Sequence, residues 1–274
     1  MSDALEITRR AKSNLAFALR ILPRDRRDDM VVFYAFCRTM DDLADEPGVT
    51  VAQREHALHS WREGLMHGFE NPTQLQKQVI DLRDRRAIPN ELFTAIIDGC
   101  RMDLEPRRFA TWEELDAYIW KVAGAVGLVS IRIFGCVDAN SEKYAIALGR
   151  ALQLTNILRD VGEDLANCGR VYLPLEDLAR FGCTEKSLAD HVMYAEFLAL
   201  MNFEAARAET YYAEAEVLLP SRDRKALLPA RIMGAIYREV LVRMRRDGFD
   251  VFRVRYALSR FQKISILLRC WIER

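Results

Sequence analysis

Two segments of the chain carry pairs of aspartates spaced for one face of a helix. The segment FYAFCRTMDDLADE places Asp41 and Asp45 four residues apart, and QLTNILRDVGED does the same with Asp160 and Asp164. Residues i and i+4 lie on the same side of an α-helix, about 6 Å apart along its axis. Each segment therefore predicts two carboxylates that project together.

The surroundings of each pair indicate the wall of a cavity. Each stripe continues towards the N-terminus with polar side chains, Tyr34 and Arg38 in the first segment and Gln153 and Asn156 in the second. A solvated surface is the usual explanation for one charged stripe. However, like charges at this spacing destabilise a helix by about 0.2–0.5 kcal/mol, and apolar residues border both stripes on a helical wheel. The combination favours a cavity lined partly by carboxylates.

Two carboxylate clusters in an apolar cavity suit one kind of chemistry. Mg²⁺ prefers oxygen ligands and is typically held by one or two carboxylates together with substrate phosphates. Two facing clusters could hold several such ions around a diphosphate and make it a leaving group. Its departure would leave a carbocation, which a dry cavity with aromatic walls would protect from water.

The rest of the chain predicts one all-α domain that positions these segments. Of the 274 residues, 50% are hydrophobic and 29% are charged, so disorder is excluded for most of the chain. Between Pro and Gly signals lie segments of roughly 12 to 25 residues rich in Ala, Leu, Glu and Arg, which favour ten or more helices. Small residues at positions 123–127 predict the close approach of another helix. With 40 basic and 40 acidic residues, a dedicated nucleic-acid binder is not expected.

Compartment and cofactor signals are few. The N-terminus has no apolar signal core and no cysteine pair has C-x-x-C spacing, so we expect a cytoplasmic protein with reduced cysteines. The apolar stretch 122–137 is interrupted by Arg132 and is too short to span a bilayer. The arginine runs at 24–27 and 243–246 leave peripheral membrane contact open. No dinucleotide-binding glycine motif occurs, which leaves the use of NADPH uncertain.

At the aspartate segments the sequence resembles the squalene/phytoene synthase family, the head-to-head prenyl synthases. The Y-x-x-C-R-x-x-D-D-x-x-D signature matches residues 34–45, and Q-L-T-N-I-L-R-D-V-G-E-D followed by G-R-x-Y-L-P matches residues 153–174. The resemblance runs from about residue 12 to the C-terminus. It implies a single isoprenoid synthase domain over residues 1–274, with a central cavity flanked by two aspartate-rich helices, and residues 1–11 are expected to be loosely ordered.

The resemblance also implies which residues bind magnesium and diphosphate. Asp42 belongs to the first motif but points about 100° away from the stripe, so it is ranked below its neighbours. The implied ligands of the Mg²⁺–diphosphate complex are Asp41, Asp45, Asn156, Asp160 and Asp164.

Further side chains complete the implied site. Arginine is suited to clamping diphosphate oxygens by its forked donors, and the family places tyrosines near the reacting carbons. The tyrosines have core packing as an even alternative. The candidates are Arg38, Arg159 and Arg255 for the diphosphate, Tyr34, Tyr172 and Tyr237 for the reacting carbons, and Gln153 for the cavity wall.

The sequence departs from the family pattern in two places. Many members have a serine-rich N-terminal segment that contacts a diphosphate, and here only Ser13 and Asn14 could play that part. Trp120 stands where some members have a tyrosine. Within the family, residues 122–135 and 234–260 are most similar to the presqualene diphosphate synthases of bacterial hopanoid pathways.

The implied activity is the Mg²⁺-dependent, head-to-head condensation of two farnesyl diphosphates to presqualene diphosphate, with continuation to squalene left open. One alternative is a phytoene synthase that uses geranylgeranyl diphosphate, and another is a prenyl diphosphate phosphatase. A third is a non-catalytic assembly factor, which the two intact aspartate motifs disfavour. The expected partners are small prenyl diphosphates, with downstream isoprenoid enzymes as further candidates.

Overall fold

The computed structural model describes residues 21–46, 48–190 and 195–272, and this part of the chain contains helices and no β-strand. The all-α prediction is therefore confirmed. Short π and 3₁₀ segments occupy Trp120–Gly124 and Ser221–Asp223. The α-helices are α1 (Arg24–Asp45), α2 (Val51–His67), α3 (Gln74–Arg85), α4 (Asn90–Arg101), α5 (Trp112–Ile119), α6 (Ala125–Phe134), α7 (Asn140–Cys168), α8 (Leu175–Arg180), α9 (Glu185–Ala189), α10 (Ala195–Leu218), α11 (Leu228–Arg246) and α12 (Arg260–Ile272).

The longest helix, α7, is the centre of the fold. It packs against α10, α6, the π segment and α11, whereas α1 packs against α2, α3, α4 and α6. The buried apolar side chains form one continuous core. The two aspartate motifs thus lie in the C-terminal halves of α1 and α7, two long helices that both pack against α6.

Local sequence signals fix where the helices begin and end. Thr50 and Thr73 each form a capping box with the glutamine three residues later, at the starts of α2 and α3. The end of α7 is set by Gly169, whose φ of 60° is left-handed. The amides of Gly169 and Arg170 donate to the carbonyls of Leu165 and Asp164, each at 3.1 Å. This turn directs the chain back across the end of α7, next to the second aspartate motif.

Glycines bring α7 very close to the helical stretch before it. A Cβ on Gly149 would lie 3.0 Å from the carbonyl oxygen of Ala123, and one on Gly127 would lie 2.9 Å from that of Ala145. Both distances are too short for a methyl group against backbone atoms. The close approach predicted from the small residues at 123–127 is confirmed.

The continuous helical stretch Trp112–Phe134 is the described segment that is long and apolar enough to cross a membrane, judged by length and composition alone. It joins α5, the π segment and α6, and it packs against α4 and α7. Several of its residues, including Val122, Val126 and Ser130, line an internal cavity. Its apolar character is accounted for by these positions inside the protein.

We expect Gly149→Ala to destabilise the protein, because the new methyl group would press on the backbone of Ala123. Overpacking of this kind costs about 1–3 kcal/mol, which outweighs the gain of up to ~1 kcal/mol in helix propensity. Chemical denaturation followed by circular dichroism measures the difference.

The matched control is Gly234→Ala in the interior of α11. There a Cβ would meet only the flexible end of Leu148, at 3.0 Å. An unfolding free energy for Gly149→Ala equal to that of the control would show that the close approach is not needed.

Candidate active site

A cavity of about 290 Å³ lies between α1, α4, the π segment, α6, α7 and α11. Its wall is apolar over most of its surface and carries Asp41 near the C-terminal end of α1 and Asn156 in the middle of α7. Moving back along the helices, the wall reaches Met30 on α1 and Tyr144 on α7, both buried. The sequence-predicted residues in its lining are Tyr34, Asp41, Gln153, Asn156 and Tyr237.

Asp41 carries a perturbed carboxylate. Solvent reaches the side chain, but protein atoms surround it, and this burial raises the pKa of Asp41 to about 6. The nearby carboxylates Asp103 and Asp45 raise it further, while the Cys100 thiol, whose sulfur lies 3.6 Å from Oδ1, and Arg38 lower it. The surrounding protein atoms and carboxylates therefore disfavour the charged form of Asp41, although its side chain remains open to solvent.

The second aspartate motif also contains a carboxylate with a raised pKa. Burial and the neighbouring Asp160 raise the pKa of Asp164 to about 7. Asp160 itself accepts two hydrogen bonds from Arg159, at 2.8 and 2.6 Å. The Arg159 guanidinium also lies over the ring of Tyr237, 5.9 Å from its centroid. Arg159 and Tyr237 are thus placed together beside the second motif.

Asp103 and Arg170 connect the two motifs. The Nη2 atom of Arg170 donates to Oδ1 of Asp45 at 2.6 Å and to the backbone carbonyl of Asp103 at 2.7 Å. The same guanidinium lowers the pKa of Asp164, and the Asp103 carboxylate raises it. Because Asp103 also acts on the pKa of Asp41, the carboxylates from α1, α7 and the loop after α4 share one electrostatic environment.

Two tyrosines hold the Asp103 side chain in place. The hydroxyls of Tyr118 and Tyr172 donate to its two carboxylate oxygens, each at 2.8 Å. The tyrosine rings stack with centroids 5.5 Å apart, and Phe109 packs against both. Burial raises the pKa of Asp103 even though both hydroxyls stabilise its charged form. Tyr172 directs its hydroxyl to this carboxylate and does not line the cavity, and its place near the reacting carbons stays a prediction.

The donor set fits Mg²⁺ bound together with a diphosphate. The Oδ1 atom of Asn156 is buried and has no hydrogen-bond partner. Burying an unpaired amide oxygen costs folding free energy unless a cation or a hydrogen-bond donor contacts it. Across the described ranges, no three His, Cys, Asp or Glu side chains converge on one metal-sized position. The carboxylates as placed are hard oxygen ligands that would need phosphate oxygens to complete an octahedral shell.

The remaining predicted residues lie at the edge of the site or outside the described chain. Arg38 forms an ion pair with the exposed Asp42 at 2.7 Å, which agrees with the lower rank given to Asp42. Arg255 is exposed and lies 3.6 Å from Glu163, one residue before Asp164. Ser13 and Asn14 lie outside the described residues.

Asp103, Arg170 and Tyr118 lie beside the two motifs, although the sequence did not predict them there. Arg170 belongs to the G-R-x-Y-L-P motif, so its place next to Tyr172 was a usable signal. Asp103 is a lone aspartate in the loop after α4, outside any stripe, and only the tertiary fold brings it to the two motifs.

Comparison with known proteins assigns the family. The squalene/phytoene synthase family profile matches residues 8–262. A presqualene diphosphate synthase of Rhodopseudomonas palustris is 38% identical over 264 residues, covering 94% of this chain and 92% of its own length. A 15-cis-phytoene synthase of Synechococcus elongatus is 34% identical over 280 residues, covering 97% of this chain and 90% of its own length.

Comparison with solved structures gives the same family. A dehydrosqualene synthase in complex with ligand superposes with a TM-score of 0.84 at 28% identity, covering 98% of this chain and 94% of its own. The squalene synthase HpnC from Alicyclobacillus acidocaldarius gives a TM-score of 0.80 at 29% identity, with 90% and 93% covered. The chain therefore belongs to the squalene/phytoene synthase family, whose members are head-to-head prenyl synthases that use prenyl diphosphates.

We expect Asp164→Asn to stabilise the metal-free protein at pH 8 and much less at pH 4.5. The pKa of Asp164 is raised from 3.8 to about 7 by folding, so its stabilising contribution is fully present at low pH and is lost as the pH rises through about 7. Removing the charge should recover on the order of 1 kcal/mol at pH 8, which corresponds to about 2–4 °C in Tm. Thermal melts in EDTA at the two pH values measure this.

Asp28→Asn serves as the control, because that carboxylate is exposed on the outside of α1. Equal Tm shifts for Asp164→Asn at both pH values, or a loss of stability at pH 8, would contradict the crowding of negative charge at the second motif.

Proposed function

We propose that the protein condenses two farnesyl diphosphates to presqualene diphosphate in a Mg²⁺-dependent reaction. One observation carries this proposal: the cavity is apolar along most of its length and has the Asp41 carboxylate, whose pKa is raised, and the orphaned Asn156 amide oxygen at one end. A substrate with a diphosphate head and a long hydrocarbon tail matches both parts. The family membership supports the class of reaction.

The carboxylate end of the cavity would bind the diphosphate. Asp41 and Asp45 of α1 and Asn156, Asp160 and Asp164 of α7 would hold Mg²⁺, with arginines around them to contact phosphate oxygens. When bound, Mg²⁺ would neutralise the diphosphate charge and make it a better leaving group. Arg159, already placed between Asp160 and Tyr237, is the best-positioned arginine.

The apolar part of the cavity would protect the reacting carbons. After the first diphosphate departs, the C2–C3 double bond of the second substrate attacks the allylic cation, and loss of one proton closes the cyclopropane. The products are presqualene diphosphate, one diphosphate and the proton. The aromatic side chains of Phe33, Tyr34 and Tyr237 line the cavity. Aromatic rings can stabilise positive charge, and an apolar cavity excludes water from the cation.

The length of the cavity wall along α1 supports a fifteen-carbon chain. From Asp41 to Met30 the wall of α1 rises about 16 Å. With single bonds of about 1.5 Å, the main chain of a farnesyl group extends about 14 Å and that of a geranylgeranyl group about 19 Å. Because Met30 is buried and lines the cavity, it would obstruct the longer chain.

The alternative substrate is geranylgeranyl diphosphate, because the relatives include phytoene synthases as well as presqualene diphosphate synthases. Incubation of purified protein with Mg²⁺ and each prenyl diphosphate, with and without NADPH, followed by mass spectrometry, separates these activities. Presqualene diphosphate from the farnesyl substrate supports the proposal. Phytoene from the longer substrate supports the alternative, and free prenyl alcohol indicates a phosphatase.

We expect Asp160→Asn to reduce presqualene diphosphate formation more than about 100-fold, which corresponds to about 2.7 kcal/mol of barrier. The neutral amide would weaken Mg²⁺ binding, while the helical circular dichroism should stay unchanged. Asp42→Asn is the matched control, since that aspartate is 58% exposed and paired with Arg38. Undiminished turnover in Asp160→Asn would refute the assignment of the second motif.

We expect Met30→Ala to raise turnover of geranylgeranyl relative to farnesyl diphosphate about tenfold, the scale of a change in pocket volume. Removing the side chain would deepen the cavity at its apolar end. Turnover of both substrates by each variant gives the ratio.

Met40→Ala is the control, because Met40 is equally buried on α1 but does not line the cavity. Both substitutions should cost about 2–5 kcal/mol of stability. An unchanged substrate ratio in Met30→Ala, or the same change in both variants, would show that Met30 does not limit chain length.

A further inference from the structure

The outer face of the C-terminal helix α12 is apolar. Phe261 is 85% exposed, Ile272 78%, Leu268 53% and Ile264 46%. Within the described ranges, no other helix carries as many exposed large apolar side chains. A contiguous patch of this kind on a surface otherwise rich in charge marks a site of interaction.

The exposed residues follow the helical period. At 100° per residue, Phe261, Ile264, Leu268 and Ile272 lie within about 80° of one another around α12. Ile266, on the opposite side, is buried against the body of the protein. A helix on a soluble surface normally places polar residues at its outward pole, whereas α12 places its largest apolar groups there.

The charged side chains of α12 are all positive, and two of the three lie on the flanks of the apolar face. Arg260 and Arg269 border the apolar face on its two sides, whereas Lys263 lies nearer the buried side, and the segment from Arg260 to Ile272 contains no Asp or Glu. Their long aliphatic stems can lie along an apolar surface while the charged groups reach outward. An apolar pole with basic flanks is the pattern of a helix that lies in the plane of a membrane interface.

We propose that the outer face of α12 docks on an anionic lipid bilayer. Phe261, Ile264, Leu268 and Ile272 insert below the headgroups, and the flanking Arg260 and Arg269 contact phosphates. A second copy of the chain fits this face less well. In a symmetric dimer the same patch meets itself, which would bring the basic flanks of the two helices together.

The position of α12 links this face to the cavity. Arg269 and Cys270 line a groove of about 550 Å³ against α7, α10 and α11, and Tyr144 and Leu148 line both this groove and the central cavity. The bilayer would therefore lie on the side of the protein where the cavity has its apolar end. With the proposed substrates, the hydrocarbon tails would point towards the membrane. This consequence rests on the proposed function, whereas the docking itself does not.

Flotation with lipid vesicles tests the proposal. The full-length protein is mixed with vesicles of phosphatidylcholine alone or with about 30% phosphatidylglycerol, in ~0.1 M and ~1 M salt. We expect binding to the anionic vesicles that weakens at high salt, where the Debye length falls from about 10 to 3 Å. Phe261→Ser/Leu268→Ser should bind at least tenfold more weakly, with an unchanged melting temperature.

The control is Val217→Ser, which removes an apolar side chain that is 85% exposed on α10. It should bind as the unsubstituted protein does. Ile264→Ser/Ile272→Ser provides a second pair that should also lose binding. The proposal is overturned if the unsubstituted protein does not float with anionic vesicles, if both double variants float equally well, or if light scattering shows a dimer that these variants dissociate.

Discussion

The crowding of carboxylates at one end of an apolar cavity is the constraint on which the rest of the structure depends. Asp41 and Asp164 have pKa values near 6 and 7 because protein atoms and neighbouring carboxylates surround them. Such an arrangement costs folding free energy at neutral pH. It is tolerated because α1 and α7 are long helices anchored in a large common core, and because Arg170 and two tyrosine hydroxyls hold Asp45 and Asp103.

The same crowding gives the site its function in our account. A cluster with too much negative charge favours cations, and the unpartnered amide oxygen of Asn156 lies beside it. Mg²⁺ and diphosphate together would relieve the repulsion, so substrate binding and stabilisation of the fold are coupled. The close approach at Gly127 and Gly149 matters for the same reason, since it holds α7 against the helical stretch that forms the other wall of the cavity.

Helical spacing made the motif residues predictable, whereas the connections between them came from the tertiary fold. Spacing placed Asp41 and Asn156 at a cavity, the family resemblance added Tyr237, and the all-α fold followed from composition and turn signals. Asp103 could not be predicted, because it stands alone in a loop and owes its place to Tyr118 and Tyr172. The Arg159–Asp160 pair was also missed, since neighbouring residues on a helix usually diverge.

Joint binding of Mg²⁺ and diphosphate at the carboxylates can be measured through the melting temperature with Mg²⁺ and inorganic diphosphate, added separately and together. We expect a small change with either one alone and a clear rise with both, about 2.7 kcal/mol of added stability at 100 times the dissociation constant. The joint effect should disappear in Asp160→Asn. A rise no greater than the sum of the separate effects would contradict the claim that the carboxylates and diphosphate share bound magnesium.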